Sequence, residues 1–345
     1  MVYQSQNPSS RSGLARREIA VIIVFVSIPL LLLFPYLQQE RVAARRRLCE
    51  RRQIQTAFAF QRYDNQFGQF PGYRNLQAVR ENGTSQRTSW AFPVLPYLTR
   101  LQPNLGVRGT ANGTDKQEPL SPYLDVIEQY GPDGLEATRG HVPSATVIEL
   151  ICPADRLPGK SQLAPTRMSF VVNAGMPDVK ATDEIPADWP ANGVFTDQFA
   201  SGAIADPMSI AFLKDHDGEE FTLLLSENVD AGNWTDVSES LVGFVWVAKL
   251  VDGQPDPDSK LLRINHDAGR GDESIRFARP SSFHPSGVNA VFCSARSEFV
   301  NEDIDYLLFA QMMASDNTSV MLPGTETLVE PPYRVPVPIS NSNDR

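Results

Sequence analysis

The side chains able to do chemistry are few in this chain, and most lie far apart in sequence. There are four histidines, His141, His216, His266 and His284, and three cysteines, Cys49, Cys152 and Cys293. No Cys-x-x-Cys pair and no run mixing Cys with His is present, so spacing predicts no zinc site, no other metal and no cofactor. His216 sits in Asp215-His216-Asp217-Gly218, a pattern that invites a metal or acid–base role. Its charged, turn-forming flanks point instead to a surface turn. His284 reads first as a residue whose hydrogen bond steadies a hairpin, with a base acting beside nearby acids as the lesser alternative. The acids of Asp252 to Ser259 (DGQPDPDS) lack the ordered ligand ladder of a calcium loop. There is no Gly-x-Ser-x-Gly elbow, no His-Glu-x-x-His and no phosphate loop, and nothing in these patterns supports an enzyme. In an oxidising compartment two of the cysteines can pair, and three buried free thiols are the other reading. Trp90, Trp189, Trp234 and Trp246 offer contact surface for a carbohydrate or peptide, against a default of core packing.

The element that must position all of this comes first in the chain. From Ile19 to Leu37 there is no charged residue, and only Ser27 is distinctly polar. As a helix this run spans about 28 Å, close to the hydrocarbon thickness of a bilayer. Pro29 and Pro35 are compatible with a spanning helix. The helical pattern continues without Gly or Pro through QQERVAARRRLCERRQIQTAFAFQRY to about Tyr63, with Val42, Leu48, Ile54 and Phe58 as its expected apolar stripe. Asp64, Asn65, Phe67 and Gly68 then signal a turn. The body that follows is large enough for one large domain or two small ones. Of the 345 residues, 41% are hydrophobic, and the formal net charge is −10. Arginines crowd the first fifty residues and acids dominate the rest, so the body repels phosphate and nucleic acid is not an expected partner. The basic arm suits anionic lipid headgroups.

Gly13, Leu14, Glu18 and Pro35 together resemble the amino terminus of type IV prepilin-like proteins. Pro35, Gln38, Ala43, Ala44, Arg45, Arg46 and Cys49 extend the resemblance to a branch of secreted or membrane-anchored proteins of unknown function. In that family a prepilin peptidase cuts after the Gly, the new terminus is methylated, and the Glu five residues on serves assembly with other pilin-like subunits. Arg16 and Arg17 depart from the pattern, standing where the family has apolar residues, and Leu14 replaces its usual Phe. The resemblance implies a single pass through the cytoplasmic membrane with the large domain outside. A bare count of the arginines flanking the span would put that domain inside. It also implies a disulfide between Cys49 and Cys152, since both fall where the family carries Cys.

The resemblance continues in the body. Ser89-Trp90 with Leu95-Pro96-Tyr97-Leu98, read from the residues as an aromatic segment with a tight turn at Pro96, matches a family stretch. Val147 to Asp155 reads as a strand stopped by Pro153, and Met168 to Gly175 as a second strand. Asp217, Gly218, Thr222, Glu227 and Trp234 hold the positions of a family turn-and-strand motif. Ser281, Phe283, His284, Pro285, Gly287 and Asn289 match its carboxy-terminal module, taken as 281–315, in which an Asp-Gly turn lies ten residues after the His. Here Ser294 and Ala295 replace that Asp-Gly. Val288 to Phe292 and Glu298 to Val300 are expected to form an antiparallel hairpin, followed by a helix from Tyr306 to Ala314. The implied fold is α+β and pilin-like: a leader (1–13), a transmembrane helix (14–38), an amphipathic extension (39–65), a globular domain with an antiparallel sheet (66–322) and a disordered tail (323–345). The expected function is that of a non-enzymatic, membrane-anchored structural or interaction protein, with a tethered carbohydrate- or peptide-binding module as the alternative.

Overall fold

A computed structural model describes residues 16–78, 85–99, 147–155, 167–199, 208–247, 250–252, 254–256, 263–268 and 274–335. The chain divides into two compact units, Met1–Ala44 and Arg45–Arg345. One helix, α1 (Arg16–Phe67), runs through both. In the first unit most side chains of residues 16–32 lie outside the described residues, as do the leader and the cleavage pair Gly13 and Leu14. Glu18 is seen only as helical backbone. Leu33 to Leu37, the described end of the apolar run, are exposed. The expected span at 14–38 therefore falls largely outside what is described, and among the described residues no helix is long and apolar enough to cross a membrane.

In the second unit α1 carries a buried face formed by Cys49, Gln53, Thr56, Ala57 and Phe60. This corrects the expected stripe, since Val42, Leu48 and Phe58 are exposed. The reason is geometric. A step of six residues turns a helix by about 600°, so those positions do not share a face, whereas 49, 53, 56 and 60 advance by four, three and four. Phe60 packs against Phe70, Trp90 and Phe195, with ring centroids 4.9–6.3 Å apart. The helix ends at Gly68, whose φ of 74° lets its N–H turn back 2.6 Å to the Asp64 carbonyl.

After α1 come a small antiparallel pair, β1 (Arg74–Ala78) and β2 (Ser85–Ser89), and the helix α2 (Ala91–Thr99). The turn expected at Pro96 is instead helix: Val94, Leu95 and Leu98 are buried, and their burial outweighs a proline cost of about 3 kcal/mol. The main sheet uses β3 (Phe170–Gly175), β4 (Leu223–Glu227), β5 (Gly243–Val245), β8 (Gly287–Phe292) and β9 (Ser297–Asn301), in the order β5-β3-β4-β8-β9. Short helices α3 (Ile210–Asp215) and α4 (Glu239–Val242) precede β4 and β5, and β6 (Leu250–Val251) and β7 (Gln254–Pro255) form a separate hairpin. The sheet is mixed rather than antiparallel, because β5 runs parallel to β3. Every residue of β3, β4 and β8 is buried, as befits central strands covered on both faces. Gly287 is needed where β8 meets β9, since a Cβ there would lie 2.2 Å from the Val300 carbonyl oxygen.

The β8–β9 hairpin and the helix α5 (Tyr306–Met313) lie where the sequence placed them. Asp305 caps α5 by accepting from the N–H groups of Leu307 and Leu308. Residues 147–155 differ from the expected strand. Ile148–Leu150 is a single 3-10 turn, and the carbonyls of Leu150 and Ile151 accept from Ser169 N and from the Arg52 guanidinium instead of a neighbouring strand. Residues 323–335 also differ from the expected tail. Val329 is fully buried and donates to the Val320 carbonyl, Met321 bridges Leu328, and Tyr333 packs near Trp246 and Tyr306. Residues 336–345 lie outside the described residues.

Candidate functional site

The fold gathers four side chains that the sequence keeps up to 235 residues apart. Cys49 comes from α1, Cys152 from the loop after the 3-10 turn, Glu227 from the end of β4, and His284 from the segment leading into β8. All four are buried, and one ligand atom from each lies within 4.8 Å of all the others. The Cys49 thiol donates to Glu227 Oε1 at 2.5 Å, and the same oxygen lies 3.1 Å from His284 Nε2. His284 Nε2 is in turn 3.5 Å from Cys152 Sγ. The second carboxylate oxygen, Oε2, is held from behind by Asn289, through its N–H at 2.8 Å and its side-chain amide at 3.3 Å. Gln53, one turn along α1, points its amide at Cys49 Sγ.

Cys49 and Cys152 are brought together as the resemblance implied, here as free thiols, with Cys293 free and buried elsewhere. Chain spacing predicted no metal-ligating cluster, and the tertiary structure builds one. His284 does not steady the hairpin; its ring is committed to Glu227 and Cys152.

The electrostatics follow from burial and hydrogen bonding. Burial pushes the Cys49 thiol up, so it remains a donor toward Glu227. Cys152 is lowered, first by the hydrogen bond from Cys49 and, against the opposing effect of burial, by the one from His284. Burial works against a charged His284, but the hydrogen bonds to Cys152 and Glu227 outweigh it and raise the imidazole to about 9. A cavity of about 10 Å³ beside Cys152 and Glu227, lined also by Asp155, Ser169 and Ser281, has room for a water or an ion but not for an organic substrate.

The other motif residues serve structure. Asp217 Oδ2 accepts from the N–H and the side-chain amide of Asn317 and so pins the carboxy-terminal segment, while Gly218 makes the turn before β4 with φ 94°. Pro285 is exposed. His216 stacks on Phe212 and bonds its carbonyl, as a surface turn does. Trp234, Trp90 and Trp246 are fully buried, the latter two with indole N–H groups on the carbonyls of Val242 and Asn192. Trp189 is partly buried and bonds the Thr325 carbonyl. These rings belong to the core, not to a ligand surface.

A second cluster is dominated by acids. Asp178 accepts from the Tyr73 hydroxyl at 2.5 Å, its N–H bonds Glu239, and Asp188, Asp197 and Arg74 face the same region. Burial raises Asp178 from its ordinary value of 3.8 to about 7, with Tyr73 and Arg74 opposing and Asp197 reinforcing. Asp188 and Glu239 are raised as well, chiefly by burial. A carboxyl that holds its proton longer in the folded state stabilises below the unfolded value and loses that contribution as pH rises through the folded one. The protein is therefore expected to lose stability between about pH 4 and pH 7. Asp178→Asn keeps an acceptor for Tyr73 and should recover about 2 kcal/mol of that loss, read as a flatter urea midpoint against pH.

An α+β domain on a long amino-terminal helix, with a buried Cys/Cys/Glu/His cluster joining that helix to the sheet, is the class of protein that fold and site define. The chain belongs to the family described as "Protein of unknown function (DUF1559)", which matches residues 38–307 and so includes all four cluster residues. No curated protein and no solved structure matches it.

Proposed function

We propose that this is a membrane-anchored, pilin-like structural or interaction protein without enzymatic activity, its large domain on the outer side of the cytoplasmic membrane. Support comes from the unbroken helix Arg16–Phe67, whose amino-terminal part has the apolar sequence Ile19 to Leu37 and whose later part carries the buried face from Cys49 to Phe60. Membership of the family agrees with the resemblance read from the sequence, although the family match begins at residue 38, after the prepilin-like segment. The proposed partners are the bilayer, a prepilin peptidase cutting between Gly13 and Leu14, and other pilin-like subunits engaged through Glu18. The test is intact-mass measurement of protein extracted from membranes with detergent. Loss of residues 1–13 with gain of one methyl group is the expected result. Full-length protein recovered in the soluble fraction without detergent would sink the proposal.

The alternative, a tethered binding module, no longer rests on tryptophans. It draws on a cavity of about 630 Å³ beside β9 and α5, where Phe221 and Leu308 are exposed.

A further inference from the structure

We propose that Cys49, Cys152, Glu227 and His284 form a zinc site that fastens α1 to the main sheet. Two sulfurs, one imidazole nitrogen and one carboxylate oxygen are a zinc donor set in both number and kind. Tetrahedral zinc, with bonds of about 2.0–2.3 Å, sets its ligand atoms roughly 3.3–3.8 Å apart. The Cys152–His284 separation of 3.5 Å already lies in that range, and the His284–Glu227 separation of 3.1 Å is just below it. The 2.5 Å contact between Cys49 and Glu227 must open by about an ångström, which follows when the thiol loses the proton it donates.

The surroundings are those of a prepared site. Asn289 holds Glu227 Oε2 with two donors and leaves Oε1 turned toward the sulfurs and the imidazole. Gln53 donates to Cys49, and Arg52 bonds the carbonyl of Ile151, placing a positive charge beside the loop that carries Cys152. Such supporting contacts orient ligands and tune their basicity. The four ligands come from four separate chain segments, so the ion would cross-link α1, the 147–155 loop, β4 and the lead into β8. Complete burial and the small adjoining cavity suit a structural ion better than a catalytic one, which needs an open position for substrate. On the outer side of a membrane the site requires Cys49 and Cys152 to stay reduced, as bound zinc would keep them.

The experiment uses full-length protein, extracted in mild detergent under reducing conditions, incubated with zinc sulfate and freed of excess by gel filtration. Elemental analysis should find about one zinc per chain. Cys152→Ser should weaken binding about a hundredfold or more, while Cys293→Ser, a change at a buried thiol outside the cluster, should leave it unaltered. Cobalt in place of zinc should give thiolate-to-metal charge-transfer absorption and the strong visible bands of tetrahedral coordination. That spectrum, taken on the unaltered protein, decides the matter even if Cys152→Ser fails to fold. Substoichiometric zinc in folded protein, a cobalt spectrum of the hydrated ion, or zinc retained in full by Cys152→Ser would overturn the proposal. So would a native mass lighter by two hydrogens with Cys49 linked to Cys152, since a disulfide would consume two of the ligands.

Discussion

Replacing Glu227 with Ala should destabilise the protein by about 3–5 kcal/mol, the largest effect expected in the cluster. Glu227 is almost wholly buried, and its two oxygens serve four donor atoms: Cys49 Sγ, His284 Nε2, and the backbone and side-chain nitrogens of Asn289. Truncation leaves a buried imidazole without its counter-charge and a strand N–H without an acceptor. Each buried group stranded in this way costs about 1–3 kcal/mol, more where it is charged. Glu227→Gln should cost less, since its amide oxygen can still accept from Asn289, although its amide nitrogen, a donor, cannot accept from the Cys49 thiol or the His284 imidazolium as the carboxylate oxygen does. Urea denaturation followed by fluorescence of the buried tryptophans measures both. Equal losses for the two variants would mean that the carboxylate's charge carries the whole effect and its bonds to Asn289 none of it.

A loss of similar size, about 3–5 kcal/mol, is expected for Arg279→Ala. Arg279 is fully buried and lies outside the cluster. Its Nη1 bonds Asp230 Oδ2 at 3.0 Å and the Phe277 carbonyl at 2.8 Å, and its Nε bonds the His266 carbonyl at 2.6 Å. Burial lowers its basicity, and Asp230 counters that. Removing the guanidinium leaves Asp230 charged with its strongest partner gone, at a site where water cannot replace it. Arg279→Lys should be intermediate or worse, because one ammonium cannot reach a carboxylate and two carbonyls in the planar arrangement the guanidinium uses. A double-mutant cycle with Asp230→Asn should return a coupling above about 1 kcal/mol. Simple additivity would show that Arg279 acts through packing and its two carbonyl bonds, not through Asp230.

Neither residue behaves as composition would suggest, and the contrast separates what is local from what is not. The β8–β9 hairpin, α5 and the strand β3 were legible because alternation, capping and turn residues are local signals. Most of α1 was legible too, since no Gly or Pro interrupts it between Gln38 and Tyr63, but it continues four residues past that expected end, through Asp64 and Asn65 to Phe67, before Gly68 stops it. Its buried face was not. Cys49, Gln53 and Thr56 look polar in sequence, and only contact with the sheet reveals that they point inward. The 147–155 segment has strand composition yet makes one 3-10 turn, because its carbonyls find partners in Ser169 and Arg52.

By itself the sequence determined the long helix, the apolar run within it, the acidic body and the carboxy-terminal hairpin, and through the resemblance it singled out Cys49, Cys152, Glu227, His284 and Asn289 one by one. Only the tertiary structure decided that these five belong to one place. The physical reason is that residue type and spacing report contacts along a helix or across a turn, whereas a site drawn from four distant segments exists only once the sheet has set their register. β4 brings Glu227 beside β8, and α1 lays Cys49 against both, a convergence that no periodicity in the chain encodes.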